Sequence, residues 1–67
     1  MEGNKLRGRI VEIYGTQDKF AEKLGVTPAT VSQKLKIKRE LTRREISTWA
    51  ELLNIPPEEI YLYFFSE

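Results

Sequence analysis

Apolar positions recur along the chain at steps of three and four residues, which is the period of an amphipathic helix, and no stretch is a good strand candidate. A first helix is predicted from about Asn4 to Tyr14, and Gly15 ends it. The inner face of this helix is formed by Leu6, Ile10, Ile13 and Tyr14. Thr16 can cap a second helix, Gln17 to Leu24, whose inner face is formed by Phe20, Ala21 and Leu24.

A tight turn separates the second helix from a third one. Gly25 occupies the position where the backbone needs a positive φ, which glycine adopts at low cost. Thr27 is the predicted N-cap, and Pro28 suits the first helical position because its fixed φ is already helical. The third helix is therefore predicted from Pro28 to about Lys36. Its inward-facing residues are Val31 and Leu35.

Two further helix starts are marked in the sequence. Thr42-Arg43-Arg44-Glu45 has the form of a capping box, and Asn54 ends the helix that follows it. The inner face of this fourth helix is formed by Ile46, Trp49, Ala50 and Leu53. A fifth helix opens in the segment Ile55 to Ile60, where prolines and acids occupy the first turn. Apolar staples are expected from Val26 to Val31, Leu41 to Ile46 and Ile55 to Ile60.

The composition narrows the class of protein. A chain of 67 residues forms one domain, over residues 1–67, and its core is marginal because so short a chain buries only about 60% of its unfolded surface. The chain has no cysteine and no histidine, which removes disulfides, the commonest metal ligands and the usual acid–base group. The apolar runs are too short for a membrane span or a signal peptide. We expect an all-α cytoplasmic protein without cofactor, metal or small-molecule ligand.

Charge is unevenly distributed, although the formal net charge is only +1. From Lys34 to Arg44 there are six basic residues against the single Glu40, and no lysine or arginine follows Arg44. This separation suggests one surface that meets a polyanion. A solvated loop with a chance cluster of charges is the plainer alternative. The six basic residues are Lys34, Lys36, Lys38, Arg39, Arg43 and Arg44.

The second helix, the turn Gly25-Val26-Thr27 and the third helix have the spacing of a helix-turn-helix unit. Ala21 is small where the two helices cross, and the angle between them is fixed from beneath by Phe20, Leu24, Val26 and Val31. The outward side of the third helix is neutral and short-chained, which suits the hydrogen-bonding groups and thymine methyls of the major groove. Gln33 can pair with adenine through two hydrogen bonds. The expected base-reading residues are Pro28, Ala29, Thr30, Ser32 and Gln33.

The stretch TQDKFAEKLGVTPATVSQKL resembles the helix-turn-helix of the phage repressor and Cro superfamily, the XRE-type regulators. The likeness continues through TRREISTWAELLNIPPEEI, similar to that family's last two helices, and it covers roughly Leu6 to Phe64. It implies a five-helix lambda-repressor-like fold in which the residue at Gln17 binds a DNA phosphate. It also implies that residues at the start and middle of the third helix read bases. The following loop, with Lys38 and Arg39, would then bind the DNA backbone.

Long polar side chains around the third helix are the other expected contacts to DNA. The residues expected at phosphates are Gln17, Thr27, Lys36, Lys38, Arg39, Arg43 and Arg44. Plainer interpretations exist for two residues, since Pro28 is a good first helical residue whatever the function and Gln17 could be a solvated first-turn residue. On the first helix, Lys5, Arg7 and Arg9 are expected to be solvent charges, one of which could reach a phosphate. Trp49 is expected in the core rather than as a stacking platform.

The chain departs from the family pattern at two positions. Many members have Asn-Gly shortly after the recognition helix, whereas this chain has Lys36-Ile37, and a β-branched residue resists positive φ. The third helix is therefore expected to end differently, and the family's backbone-amide contact to phosphate is not carried over. Many members also have an apolar residue three positions after Val31, where this chain has Lys34 and places Leu35 one residue later. A slight rotation of the third helix about its axis is expected.

The C-terminal stretch IYLYFF, Ile60 to Phe65, is more apolar than a tail that needs one or two anchors. Ile60 and Phe64 can pack back on the first and fourth helices, and the other apolar residues mark an interface. A two-fold dimer reads two half-sites about 34 Å apart, so we expect a homodimer, weak without DNA, on a pseudo-palindromic operator. The expected interface residues are Tyr61, Leu62, Tyr63 and Phe65.

The leading hypothesis is a Cro-type phage repressor that binds double-stranded DNA and occludes a promoter. It rests on the expectation that the chain is a whole protein rather than a fragment of a larger repressor with a second domain. The alternative is an antitoxin or antirepressor-type protein-interaction module on the same fold, in which the fifth helix grips a partner. An enzyme is not expected. Its acids would have to do the chemistry, and Glu45 and Glu59 are already explained as helix-start residues.

Overall fold

The computed structural model describes residues 4–65, and every regular element in that range is helical. The α-helices are α1 (Asn4–Tyr14), α2 (Gln17–Leu24), α3 (Pro28–Lys36) and α4 (Arg43–Leu52). A short 3-10 turn, Lys38–Glu40, joins α3 to α4. After α4, the C-terminal segment (residues 57–65) begins as a 3-10 turn and continues as a π-helix, Tyr61–Phe65. The predicted all-α fold with five helices is confirmed if this segment is counted as the fifth.

The helix starts follow from their threonine caps. The hydroxyl oxygens of Thr16 and Thr27 accept from the backbone N–H groups of Lys19 and Thr30, at 3.1 and 3.3 Å. At the start of α4, the Glu45 N–H donates to the Thr42 hydroxyl at 3.1 Å while the Thr42 N–H donates to the Glu45 carboxylate at 2.9 Å. Each bond satisfies an N–H that has no partner inside its helix. The predicted caps and capping box are confirmed.

The ends of the helices also follow the sequence. Gly25, after α2, has φ 81°, and Asn54, after α4, has φ 55°. Ile37, after α3, has φ −123°, and its N–H donates to the Gln33 carbonyl at 3.0 Å. The expectation that α3 ends by a different route is therefore confirmed, since a β-branched residue fits this negative φ.

A single cluster of buried apolar side chains connects all the elements. The ring of Phe20 lies at its centre. The centroid of this ring is 5.0 Å from that of Trp49, in an edge-to-face arrangement, and 5.3 Å from that of Tyr14. The Trp49 ring also packs against the Phe64 ring, with centroids 6.5 Å apart, and this contact anchors the C-terminal segment. The buried residues are Leu6, Ile10, Phe20, Ala21, Val31, Leu35, Leu41, Trp49, Ala50, Leu53, Ile55 and Phe64. No helix between residues 4 and 65 is long and apolar enough to cross a membrane.

Two packing predictions are wrong. Ile13 was expected on the inner face of α1, but it is 38% exposed, while Tyr14 turns inward and donates its hydroxyl to the Leu52 carbonyl at 3.1 Å. Val26 was expected beneath the turn, but it is exposed, and Ala21 and Val31 fill the space between α2 and α3 instead. The first helix therefore buries fewer apolar residues in the core than its periodicity predicts.

The fifth helix is less regular than the sequence predicts. Consecutive prolines, Pro56 and Pro57, start it as a 3-10 turn in which the Glu59 N–H donates to the Pro56 carbonyl at 2.9 Å. The π-helix that follows has wider i→i+5 spacing, which changes the side-chain positions that share a face. The inward anchors are nevertheless those predicted, with Phe64 buried and Ile60 half-buried.

Arg9 is not the solvent charge that the sequence predicts. Its Nε donates to the Leu53 carbonyl and its Nη2 to the Asn54 carbonyl, both at 2.8 Å. These carbonyls follow α4, where helix geometry leaves oxygens without intrahelical partners. The guanidinium of Arg9 therefore ties α1 to the end of α4, and a neighbouring carboxylate, Glu12, lies 3.7 Å from it.

Replacing Arg9 by methionine is expected to lower the free energy of unfolding by about 1–3 kcal/mol, because both hydrogen bonds are lost while most of the apolar stem is kept. Arg7→Met is the matched control, since Arg7 is exposed on the same helix, and it should change stability by less than about 0.5 kcal/mol. Urea unfolding followed by Trp49 fluorescence measures both. Equal losses for the two variants would remove Arg9 from this capping role.

Candidate nucleic-acid interface

The outward face of α3 is neutral over its first six residues. Val31 and Leu35 are buried and fix which side of the helix faces the core. Of the predicted base-reading residues, Pro28, Ala29 and Gln33 are exposed away from the core and Ser32 is half-buried. Thr30 is also exposed, but it lies on the side of α3 that faces α4. The hydroxyl oxygens of Thr27 and Thr30 lie 3.0 Å apart, so both are already partnered at the helix start. Among residues 4–65, the side-chain amide of Gln33 is exposed and has no such partner.

The turn before α3 is held by backbone hydrogen bonds. The Ala21 carbonyl accepts from the N–H groups of Gly25 and Val26, at 2.9 and 3.0 Å. Ala21 itself is fully buried, in keeping with the small residue expected where α2 meets α3. With Gly25 in the left-handed region, this bonding turns the chain sharply and sets α3 at a fixed angle to α2.

An ion pair that the sequence did not indicate joins α3 to α4. The Lys34 ammonium donates to the Glu45 carboxylate at 3.1 Å, and the same carboxylate oxygen accepts from the Thr42 N–H. The backbone hydrogen bond from Thr42, together with Lys34, lowers the pKa of Glu45 below its ordinary value, although burial acts in the opposite direction. Lys34, three residues after buried Val31, is therefore half-buried and held by this ion pair.

The lowered pKa of Glu45 makes stability depend on pH. A carboxyl group whose folded-state pKa is below its unfolded value adds stability above the unfolded pKa and loses it as pH falls through the folded pKa. Glu45→Gln is therefore expected to flatten the acid side of the stability profile by up to about 1 kcal/mol, a small amount because the side chain is partly exposed. Urea midpoints at neutral and acid pH measure this, and Glu51→Gln, exposed on the same helix, is the control. An unchanged acid slope in Glu45→Gln would contradict the assignment.

The predicted phosphate-contacting residues come before and after α3 in the chain, and their side chains differ in exposure. Lys36, Arg39, Arg43 and Arg44 are exposed, and so is Thr27, whereas Gln17 is half-buried at the start of α2. Lys38 is half-buried, and its ammonium donates to the Tyr63 carbonyl at 3.3 Å. Lys38 thus contacts the C-terminal segment, a role that its place in a basic stretch did not suggest.

The C-terminal segment separates into an inner and an outer side. Tyr63, expected in a dimer interface, is half-buried against the core, and the Lys5 ammonium lies 5.6 Å from the centre of its ring. The other three expected interface residues are exposed, and we call them the aromatic patch: Tyr61, Leu62 and Phe65. The rings of Tyr61 and Phe65 stack with centroids 6.1 Å apart. The C-terminal segment therefore exposes an apolar surface, and Tyr63 is not part of it.

A cleft of about 200 Å³ opens between the turn before α3 and the first half of α4. Its apolar lining comes from Leu24, Val26 and Trp49. Polar side chains at the cleft are Thr30, Lys34, Arg44, Glu45 and Thr48. No pattern in the sequence indicates this cleft, because its lining comes from residues on three separate elements. We call it the α3–α4 cleft. Within residues 4–65, no three carboxylates lie close enough together to hold a metal ion.

Comparison with known proteins assigns a family but no activity. The family model DUF739, described as a protein of unknown function, matches residues 2–67, and the chain belongs to this family. No curated protein and no solved structure matches the chain.

Proposed function

We propose that this member of the DUF739 family is a sequence-specific regulator of transcription that binds double-stranded DNA, in the manner of a Cro-type phage repressor. In this proposal α2, the turn and α3 are the helix-turn-helix of a lambda-repressor-like fold. The supporting observation is the neutral exposed face of α3, backed by buried Val31 and Leu35 and followed by exposed cations. Base edges offer hydrogen-bonding groups and methyls rather than charges, so such a face fits a groove and the cations fit its walls.

The proposed mechanism follows from where these side chains lie. With α3 in the major groove, Gln33 is placed to make two hydrogen bonds to an adenine, and Ala29 to touch a thymine methyl. The exposed cations after α3 bind phosphates and set the register. At the start of α2, the Gln17 amide and the N-terminal end of the helix suit another phosphate. Occupying a promoter in this way excludes the polymerase.

A single α3 gives few base contacts, so the proposal includes a homodimer that reads a pseudo-palindromic operator in the cytoplasm. The aromatic patch is the surface that supports dimerisation, because three large apolar side chains are exposed together. A two-fold arrangement would present two α3 helices to half-sites about 34 Å apart. With only three side chains in the patch, the dimer is expected to be weak and to be stabilised on DNA.

A titration of DNA affinity against salt tests the proposal. Each phosphate neutralised by a lysine or arginine contributes about 0.9 to the negative slope of log K against log salt concentration. If Lys36, Arg39, Arg43 and Arg44 all contact phosphates, each protomer should give a slope of about −3 to −4. A slope near zero, or no binding to any duplex at low ionic strength, would contradict the proposal.

Replacing Arg39 by alanine is expected to weaken binding to all duplexes alike and to reduce the salt slope by about one unit, because one phosphate contact is lost. Lys23→Ala is the matched control, since Lys23 is an exposed cation on α2 outside the proposed interface. Fluorescence anisotropy with two unrelated duplexes gives both quantities. If Arg39→Ala changed the preference between the duplexes instead, it would be a base-reading residue.

The aromatic patch also favours a second candidate function, an antitoxin or antirepressor-type module that grips another protein. The two functions differ in what the basic residues do. A protein-interaction module without a role on DNA would bind duplexes weakly, and alanine substitutions at Arg43 and Arg44 would leave its function unchanged. The salt titration above therefore separates the two.

A further inference from the structure

Two apolar features of this chain lack a partner within residues 4–65. The first is the aromatic patch, in which Tyr61 is 67% exposed, Phe65 56% and Leu62 46%. The second is the α3–α4 cleft, where Trp49, Leu24 and Val26 border an open volume of about 200 Å³. An apolar cavity of about 150 Å³ is large enough to bind benzene. The cleft can therefore accept one aromatic ring or one leucine side chain.

The charges around the two features are opposite. The aromatic patch follows Glu58 and Glu59, and no lysine or arginine occurs after Arg44. Arg44 itself is exposed beside the cleft, next to exposed Arg43, whereas the acid at the cleft, Glu45, is paired with Lys34. The cleft thus has exposed arginines at its border and the patch has acids directly before it, while Lys5 and Lys38 contact the inner side of the C-terminal segment at Tyr63. Such complementary potentials favour contact between the two surfaces.

We propose that the aromatic patch of one copy of this chain docks in the α3–α4 cleft of a second copy, with one ring in the cleft. This inference rests on the homodimer of the proposed function and names the surface that receives the patch. Docking patch against patch would instead bring two sets of Glu58 and Glu59 together, and like charges across an interface are unfavourable. The cleft offers both the apolar space and the opposite charge.

The position of the cleft gives this contact a consequence for DNA reading. Thr30 and Lys34 belong to α3, and both border the cleft. A ring from the second copy would therefore touch the helix proposed to read bases. Dimerisation and the placement of α3 are coupled directly through these side chains, rather than through a distant part of the fold.

Two pairs of variants test the contact. Thr48→Phe places a ring in the cleft of its own chain, and Ser47→Phe is its control, because Ser47 is exposed on α4 but does not line the cleft. Tyr61→Ser with Phe65→Ser removes the patch, and Val11→Ser is its control, because Val11 is an exposed apolar residue of α1. Sedimentation equilibrium without DNA should show a dimer weakened about tenfold or more by Thr48→Phe and by the patch variant. The two controls should dimerise as the unmodified chain does.

Mixing the two damaged chains separates cleft docking from other contacts. Thr48→Phe keeps an intact patch, and the patch variant keeps an intact cleft, so a mixture should form heterodimers that neither forms alone. Trp49, the only tryptophan, lines the cleft, and its indole N–H signal in the patch variant should shift when the Thr48→Phe chain is added. Normal dimerisation of Thr48→Phe by itself would show patch-to-patch contact and overturn the inference. So would a monomeric unmodified chain at millimolar concentration.

The outcome is distinguishable from failure of the proposed function. Both measurements are made without DNA, whereas the salt titration detects DNA binding by a monomer as well as by a dimer. A chain that binds duplexes with a steep salt slope but ignores the cleft variants would keep its proposed function and lose this inference.

Discussion

Replacing Gln33 by alanine is expected to weaken binding to the preferred duplex by about 1–3 kcal/mol and to relax the preference at one base position. Gln33 is exposed on α3, and its side-chain amide has no hydrogen-bond partner within the described residues that would compete with a base. Its amide can match the donor and acceptor of adenine together, and a lost bidentate pair costs about this much. A change of this size corresponds to roughly a 5- to 150-fold loss of affinity.

Competition binding with the preferred duplex and random duplexes measures the effect. Binding to random duplexes should be unchanged, because that binding depends on phosphates rather than bases. Arg39→Ala provides the contrast, since it should lower both affinities together. Equal losses of Gln33→Ala on preferred and random duplexes would remove Gln33 from the base-reading residues.

Replacing Phe20 by alanine is expected to unfold most of the protein at room temperature. Phe20 is fully buried and its ring contacts the rings of both Tyr14 and Trp49. Truncation of a buried phenylalanine costs about 3–5 kcal/mol. A core of this size supplies a net stability of only about 3–5 kcal/mol, so the loss is close to the whole.

Circular dichroism with urea unfolding measures the stability of the Phe20 variant. Val11→Ala is the control, since Val11 is exposed on α1, and it should change the stability by less than about 0.5 kcal/mol. The two large predictions also check each other, because Phe20→Ala should lose DNA binding through unfolding, whereas Gln33→Ala should keep its unfolding midpoint. A cooperative, nearly normal unfolding curve for Phe20→Ala would show that the packing around this ring is not as described.

Local signals predicted most of the helical framework. The caps at Thr16, Thr27 and Thr42, the left-handed position at Gly25 and the helix end at Asn54 depend on neighbours within a few residues. Such signals can be read from the sequence alone because the groups that satisfy each helix end are close in the chain. For the same reason, the unusual end of α3 at Ile37 could be anticipated from side-chain shape.

The contacts of two charged side chains were missed because their partners lie far away in the chain. Arg9 meets carbonyls 44 and 45 residues later, and Lys34 meets a carboxylate 11 residues later, so neither contact could be read from a helical period. Tyr63 turns inward because a π-helix alters which positions share a face. In the candidate site, the hydrogen bond from Lys38 to the C-terminal segment could not be predicted from its place in a basic stretch.

Selection of bound sequences from a pool of random duplexes shows whether α3 reads bases. The unmodified chain is expected to enrich a short motif, present as two inverted copies with centres about 34 Å apart. Gln33→Ala is expected to enrich the same motif with one position relaxed. A pool that remains unenriched at low ionic strength, after repeated rounds with folded protein, would mean that α3 does not read bases.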